Sequence, residues 1–356
     1  MLLAWMMPAC AELPLELSTA DFVLDSANKP PADSADWHPQ ALPDSWPINH
    51  PQAVAQGAQS GWYRFRFQMP SEFDPLQAVY LPKLGLNAAV YLNGRHIGDG
   101  GGFTEPYGRN WNRPLLFLVP PGLLRPGENT LHVRLLSHAY TQASLHPVSI
   151  GADKRLRPKF ERAIFLRVTL NQTASLLIAS MGVLMLSLWW WRRQDVAYGY
   201  FGVSALLWAA QSTNLYLQQA PLATAHWEIV INSSFQVFSA FLLISLLRFA
   251  AAGGRPIIPL LWFPVFASPL SQIWVPAPHY LALTAFWHVV TLLSAFVTLL
   301  FLLRAAIKWH NRDAGLMAGA IGLVVLLAGH DWLMHSQHFW LHRPHEFLDD
   351  LYLLHY

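Results

Sequence analysis

Six apolar runs between residues 170 and 334 limit what this chain can become more than any other feature. They lie at approximately 170–191, 196–217, 229–250, 256–275, 280–303 and 315–334. A hydrocarbon core about 30 Å thick takes ~20 helical residues to cross, and each run meets that length. The runs are continuous rather than alternating, and lipid requires every backbone N–H and C=O to be satisfied within the segment. Helices are therefore predicted, in a polytopic membrane bundle. Charge divides the chain at the same place. Residues 1–168 hold 15 Lys/Arg and 14 Asp/Glu, whereas residues 169–356 hold 8 and 7. The first half reads as water-facing and the second does not.

Residues 186–195, LSLWWWRRQD, fix a direction. Tryptophan favours the headgroup level, and arginine just beyond it marks a cytoplasmic exit. Arg248 and Arg255, then Arg304, Lys308 and Arg312, fall on the same side by alternation. The opposite connections, LQQAPLATAH and VPAPH, contain no Lys or Arg, and the last contains only Arg343. The first half of the chain is accordingly expected outside. GADKRLRPKFERAIFLRV, residues 151–168, sets six basic residues before the first run on that outer side. Long exported domains largely escape the charge rule, so the orientation stands. The stretch reads as a solvated linker or juxtamembrane helix on headgroups, or as a coupling segment docked on the acidic last outer loop. A net charge of +2, with no basic block or stripe large enough to track phosphates, argues against a nucleic-acid partner.

Cys10 is the single cysteine, so no internal disulfide is possible. In MLLAWMMPACAE, Ala9-Cys10-Ala11 looks like a cleavage site, and residues 1–11 are expected to be a residual signal peptide rather than a plain apolar start. At the other end EFLDDLYLLHY opens a further apolar run near Leu351, the expected start of a truncated seventh helix.

Residues 12–150 show short alternating runs separated by turn signals, which predicts an all-β sandwich. Tyr63, Phe65 and Phe67 fall on one face of a strand, with Arg64 and Arg66 on the other. Leu131, Val133 and Leu135 alternate with His132 and Arg134. Asn93-Gly94 between two strand-like runs is a hairpin signal, because both turn residues need positive φ. No helix of convincing length is predicted before residue 154.

SGWYRFRFQMP, AVYLNGRHIGDGGGF and RPGENTLHVRLL resemble the galactose-binding-like jelly roll, similar to the sugar-binding domain of family-2 glycoside hydrolases. With the bundle, and with GHDWLMH at the end of the sixth run, nearly the whole chain resembles the bacterial seven-transmembrane receptors with diverse intracellular signalling modules. The resembling motifs are mostly structural. The resemblance implies a bacterial inner-membrane sensor with its sandwich (12–150) outside, a linker at 151–169, six helices over 170–334, and an outer loop over 335–356. It also implies a cytoplasmic output module beyond the seventh helix, most often a histidine kinase or a cyclic-dinucleotide enzyme. A response regulator and a second copy of the chain are the implied partners.

The loop GDGGGFTEPYGRNWNRP, residues 98–114, carries the densest recognition chemistry. Asp99, Glu105, Arg109, Asn110, Asn112 and Arg113 suit hydroxyls or a carboxylate of a small ligand, with Phe103, Tyr107 or Trp111 as a stacking platform. Gly and Asn are also turn formers, and Trp111 alternatively caps the core. Within the membrane half, polar side chains gather towards the outer ends: Gln211, Asn214, Asn232, Gln236, His288, His330 and Asp331. They suggest an outward-opening vestibule about 10–12 Å deep with His288 at its floor. The alternative is that polar groups merely cost less near headgroups. GHDWLMHSQHFWLHRPHEFLDD groups five histidines with four acids, but without a convergent ligand spacing; neither a metal nor a cofactor is expected, and a pH response or a polar rim remains. No carboxylate pair stands out as glycosidase machinery, and no catalytic residue is predicted. The rival to a sensor is a transporter with an appended binding domain, to which Pro259, Pro264 and Pro269 in the fourth run lend the one supporting feature.

Overall fold

The computed structural model describes residues 14–55, 59–251 and 257–335, with side chains excluded from 331 onwards and at Val54 and Ala55. The residual signal peptide, the start of a seventh helix, most of the histidine-rich segment and the side chain of Asp331 lie outside the described residues. The chain divides into two compact units, Met1–Phe165 with Gln218–Ala220, and Leu166–Leu217 with Pro221–Tyr356.

The first unit is sheet-rich. Its strands are β1 (Leu15–Leu17), β2 (Thr19–Leu24), β3 (His38–Ala41), β4 (Asp44–Ser45), β5 (Gln59–Met69), β6 (Gln77–Leu81), β7 (Asn87–Leu92), β8 (Arg95–Asp99), β9 (Leu115–Leu118), β10 (Gly127–Ser137), β11 (Ser144–Leu145) and β12 (Val148–Ala152). Two short helices, α1 (Trp46–Asn49) and α2 (Pro51–Ala55), precede β5. Antiparallel pairing gives a six-stranded sheet, β3-β2-β5-β10-β7-β8, a four-stranded sheet, β1-β12-β6-β9, and the two-stranded β11-β4. Alternation along β5 and β10 decides the core. Phe65 pairs with Leu131 and Tyr63 with Val133, and Leu131 and Val133 pair on their other edge with Leu92 and Val90; all six are buried. A one-residue slip would turn every one of them outward. The β7–β8 hairpin turns at Asn93 (φ 48°) and Gly94 (φ 78°), the positive values that this two-residue connection demands.

Arg64, on the opposite face, is not solvated. The segment before β3 folds over it: its guanidinium bonds Asp21 and Asp33 and lies 4.3 Å from the Trp37 ring centre. The basic stretch after β12 forms an amphipathic helix, α3 (Asp153–Ile164). Leu156 and Phe160, four residues apart, meet Ala78 and Tyr80, so β6 is buried on both faces.

The second unit is helical: α4 (Leu170–Trp191), α5 (Val196–Gln211), α6 (Thr224–Phe249), α7 (Ile258–Trp274), α8 (Tyr280–Lys308) and α9 (Arg312–His335). Among the described residues, four helical stretches are long and apolar enough to cross a membrane: Asp153–Trp191, Thr224–Phe249, Ala277–Lys308 and Arg312–His330. α5 and α7 have 16 and 17 residues. α5 tightens into a 3₁₀ turn at Ser212–Leu215, where the hydroxyls of Ser212 and Thr213 bond the carbonyls of Ala209 and Ala210. α7 ends at Trp274 because Val275, preceding Pro276, is driven into an extended conformation. Leu176, Phe266, Leu316 and Leu326 are 69%, 68%, 76% and 72% exposed. Apolar surface on this scale is unfavourable in water and fits hydrocarbon, consistent with a membrane protein.

Candidate functional site

The loop that connects β8 to β9 has two layers. Its base is a buried pair of asparagines. Asn110 donates to Asn87 Oδ1 at 3.0 Å and to the Gly100 carbonyl at 2.7 Å, and Asn87 donates to the carbonyls of Gly101 and Gly102. Both are 0% exposed. Gly100 and Gly108 close over this pair. A Cβ on Gly100 would stand 2.3 Å from Asn110 Nδ2, and one on Gly108 would stand 2.9 Å from Asn87 Nδ2. The glycines therefore serve close approach. Arg109 is buried too, and its backbone N–H donates to the Gln218 carbonyl. Asn110 and Arg109 thus belong to the scaffold, while Trp111, Asn112 and Arg113 are half-buried beside it, with burial holding the Arg113 guanidinium below its usual range.

The upper layer holds the reachable chemistry. Glu105 is exposed, and Tyr107 and Phe103 are partly so. Asp99 accepts from the Gly101 N–H and faces His96 at 3.4 Å, whereas Phe103 lies under the Arg134 guanidinium, 4.8 Å from it. His138, from the loop after β10, joins this rim. Its Nε2 stands 3.9 Å from Glu105 Oε1, and its ring centre lies 6.1 Å from that of Tyr107 and 5.6 Å from that of Tyr140. Burial lowers the pKa of His138, against the opposing pull of Glu105. Burial and the Glu105 charge raise that of Tyr107. A carboxylate, a neutral imidazole and a phenol on one rim offer donors and acceptors together. Nothing in the sequence joins His138 and Tyr140 to this loop, because the segment that carries them follows β10, distant in sequence from residues 98–114.

In the helical unit the polar side chains are bonded from helix to helix. Asn214 accepts from Trp227 Nε1 at 2.9 Å; Gln211 is buried near the end of α5. Asn232 on α6 donates to the Tyr280 hydroxyl at 3.0 Å, Tyr280 donates to Gln272 Oε1 at 3.2 Å, and Gln272 donates to Ser268 Oγ at 2.7 Å. One turn further along α6, Gln236 Oε1 accepts from Thr291, and Trp287 Nε1 of α8 donates to Ser271, next to Gln272 on α7. This ladder ties α6, α7 and α8 together. A narrow cavity beside it, lined among others by Gln236, Ser239, Pro264 and Thr291, has room for about one water. His288 packs edge-on against Phe235 with ring centres 5.0 Å apart, and His330 is exposed on α9. Towards the basic helix ends the packing is aliphatic, with Leu243, Leu247, Leu261, Leu302, Ala314 and Ile321 in one cluster. Among the described residues no group of His, Cys, Asp and Glu has the arrangement of a metal site.

No protein-family model and no curated protein matches the chain. Among solved structures, similar chains include a β-glucuronidase from Faecalibacterium prausnitzii, at 24% identity and TM-score 0.27, over 36% of this chain and 22% of that one. A GH2 β-galacturonidase from Eisenbergiella tayi bound to glycerol aligns at 16% identity and TM-score 0.29, over 39% and 24%. A β-D-mannosidase from Dictyoglomus thermophilum aligns at 21% identity and TM-score 0.27, over 36% and 16%. The chain spans less than a third of the length of each of these three structures.

Proposed function

We propose that the chain is the sensing part of a membrane receptor. A small hydroxyl-bearing ligand, carbohydrate-like in chemistry, binds the sheet unit outside the cell. The helical unit relays that event to a cytoplasmic output module, a histidine kinase by the family resemblance. The observation that carries the reading is the two-layered loop. Its buried Asn87–Asn110 base holds an exposed rim of Glu105 and Tyr107 against His138, a preorganised set of polar groups on a rigid support. The galactose-binding-like jelly roll, the outward orientation and the bacterial inner membrane are parts of the same proposal. Signalling requires that the ligand favour one arrangement of the helices over another.

The test is a melting-temperature screen of the full chain in nanodiscs against neutral sugars, sugar acids and amino acids. A stabilising ligand is expected among the sugars or sugar acids, with the shift lost in Glu105→Gln and Tyr107→Ala. A ligand shift left unchanged by both substitutions removes this rim from the account. A transporter draws support from Pro264 and Pro269 inside α7, next to the Ser268–Gln272 step of the ladder. Uptake of the stabilising ligand into sealed vesicles containing the protein distinguishes that reading.

A further inference from the structure

We propose that the junction of α4 and α5 is a binding site for the phosphate of an anionic phospholipid, built around Arg193. The inference rests on the membrane reading of the helical unit. α4 ends in Trp189, Trp190 and Trp191, and the chain turns through Arg192, Arg193, Gln194 and Asp195 into α5. The two arginines are in different situations. Arg192 is neutralised by Asp195, Nε to Oδ2 at 2.9 Å. Arg193 has no carboxylate partner among the described residues, and its guanidinium carbon lies 4.3 Å from the ring centres of both Trp189 and Trp190.

That stacking is fixed from below. The Trp189 ring lies on Gly199 of α5, so close that a Cβ there would stand 2.9 Å from Trp189 Cδ2. Gly199 and Trp189 therefore give the Arg193 guanidinium a fixed support, where a long arginine on a turn would otherwise sample many rotamers. The indoles engage the guanidinium through their π-faces and offer no hydrogen-bond acceptor, so its N–H groups are kept for an oxyanion, and a phosphate accepts such a fork bidentately. The Trp189 Nε1–H is also buried without an acceptor among the described residues, so the cluster is one of donors only. Trp190 and Trp191, 67% and 86% exposed, flank the cation with amphipathic rings of the kind that sit at headgroup depth. This argues for a phosphate held in a bilayer over a free one.

Full chain is reconstituted in nanodiscs of equimolar phosphatidylcholine and phosphatidylglycerol, extracted in mild detergent, and the phospholipid retained per protein is counted by native mass spectrometry. Wild type is expected to retain phosphatidylglycerol preferentially. Arg193→Gln should weaken that retention about tenfold, the scale of one lost charge-assisted bond, and Arg192→Gln should leave it unchanged. Arg193→Lys, which keeps the charge and loses the fork, should fall between. Equal retention by wild type and Arg193→Gln overturns the proposal. So does an equal loss in Arg192→Gln, which marks diffuse charge, or displacement of the lipid by excess inorganic phosphate, which marks a soluble occupant. Protein that fails to enter nanodiscs at all contradicts the membrane reading itself; protein that enters them without lipid preference contradicts only this site.

Discussion

Asp44 and His132 show two ways in which the sheet unit holds a buried titratable side chain. Asp44 is 0% exposed. Burial alone raises its pKa, but hydrogen bonds from His50, Asn49 and Tyr63 outweigh that effect and hold the carboxyl below its usual range. The same contact, with burial as the larger cause, pushes the Tyr63 phenol well up. Trp46 Nε1 completes the set by donating to the Tyr63 hydroxyl. Replacing Asp44 by Ala takes the acceptor from three donors at once, the buried Tyr63 hydroxyl among them, and a loss of about 3 kcal/mol is expected in denaturant unfolding. His132 lacks such support. Burial, then the nearby Arg64, lowers its pKa from 6.5 to about 4, with Asp33 opposing and Arg66 adding to the fall. Between those values the unfolded chain binds a proton that the folded one refuses, so stability from this group is complete above pH 6.5 and drains away as pH falls towards 4. Melting curves at pH 7 and pH 5 should therefore differ less in His132→Gln than in wild type; an equal difference removes His132 as a cause. Neither environment was legible in the sequence. ALPDSW reads as a turn, and Tyr63 lies 19 residues from Asp44. By contrast, the alternation of Tyr63, Phe65 and Phe67 shows its core face directly, because a strand's side-chain period is a local property.

Among elements, the α4–α5 pair shows most clearly what sequence periodicity leaves out. Length and apolarity predict both helices, but not how closely they approach. Gly182 and Gly202 face each other: a Cβ on Gly202 would stand 2.9 Å from the Gly182 carbonyl oxygen and 2.7 Å from Leu186 Cγ. Ser175 and Ser212 hydroxyls meet at 2.6 Å along the same seam. Small residues that let backbones approach are the usual means of holding helices together where lipid removes the hydrophobic drive. Gly202→Val forces the pair apart, with a cost of about 2 kcal/mol expected from overpacking. It should lower the melting temperature in detergent, while Gly319→Val on α9, with nothing within 4 Å, should not. The loop of residues 98–114 was legible as a polar turn-rich segment and no further. Its composition does not separate Asn110, which is scaffold, from Glu105, which is rim, because burial is decided by Asn87 on another strand. The stretch of residues 151–168 shows the reverse case, since its charges conceal Leu156 and Phe160, the spacing that docks α3 on β6.

At the scale of the whole molecule, a sheet-rich unit is followed by a helical one, and four helical stretches among the described residues are long and apolar enough to cross a membrane. That division was visible in the charge count, since 15 of the 23 Lys and Arg lie in the first 168 residues. The sidedness of the assembly is a further claim, resting on seven basic residues at alternate connections against one, and it governs everything proposed for the ligand rim and for Arg193. Site-directed labelling tests it directly. In a Cys10→Ser background, single cysteines at Gln68, exposed on β5, and at Gln194, exposed between α4 and α5, are treated in intact cells with a membrane-impermeant maleimide that passes the outer envelope. The account predicts that position 68 reacts and that position 194 reacts only after the cells are lysed. Labelling of position 194 in intact cells, with position 68 protected until lysis, would contradict it.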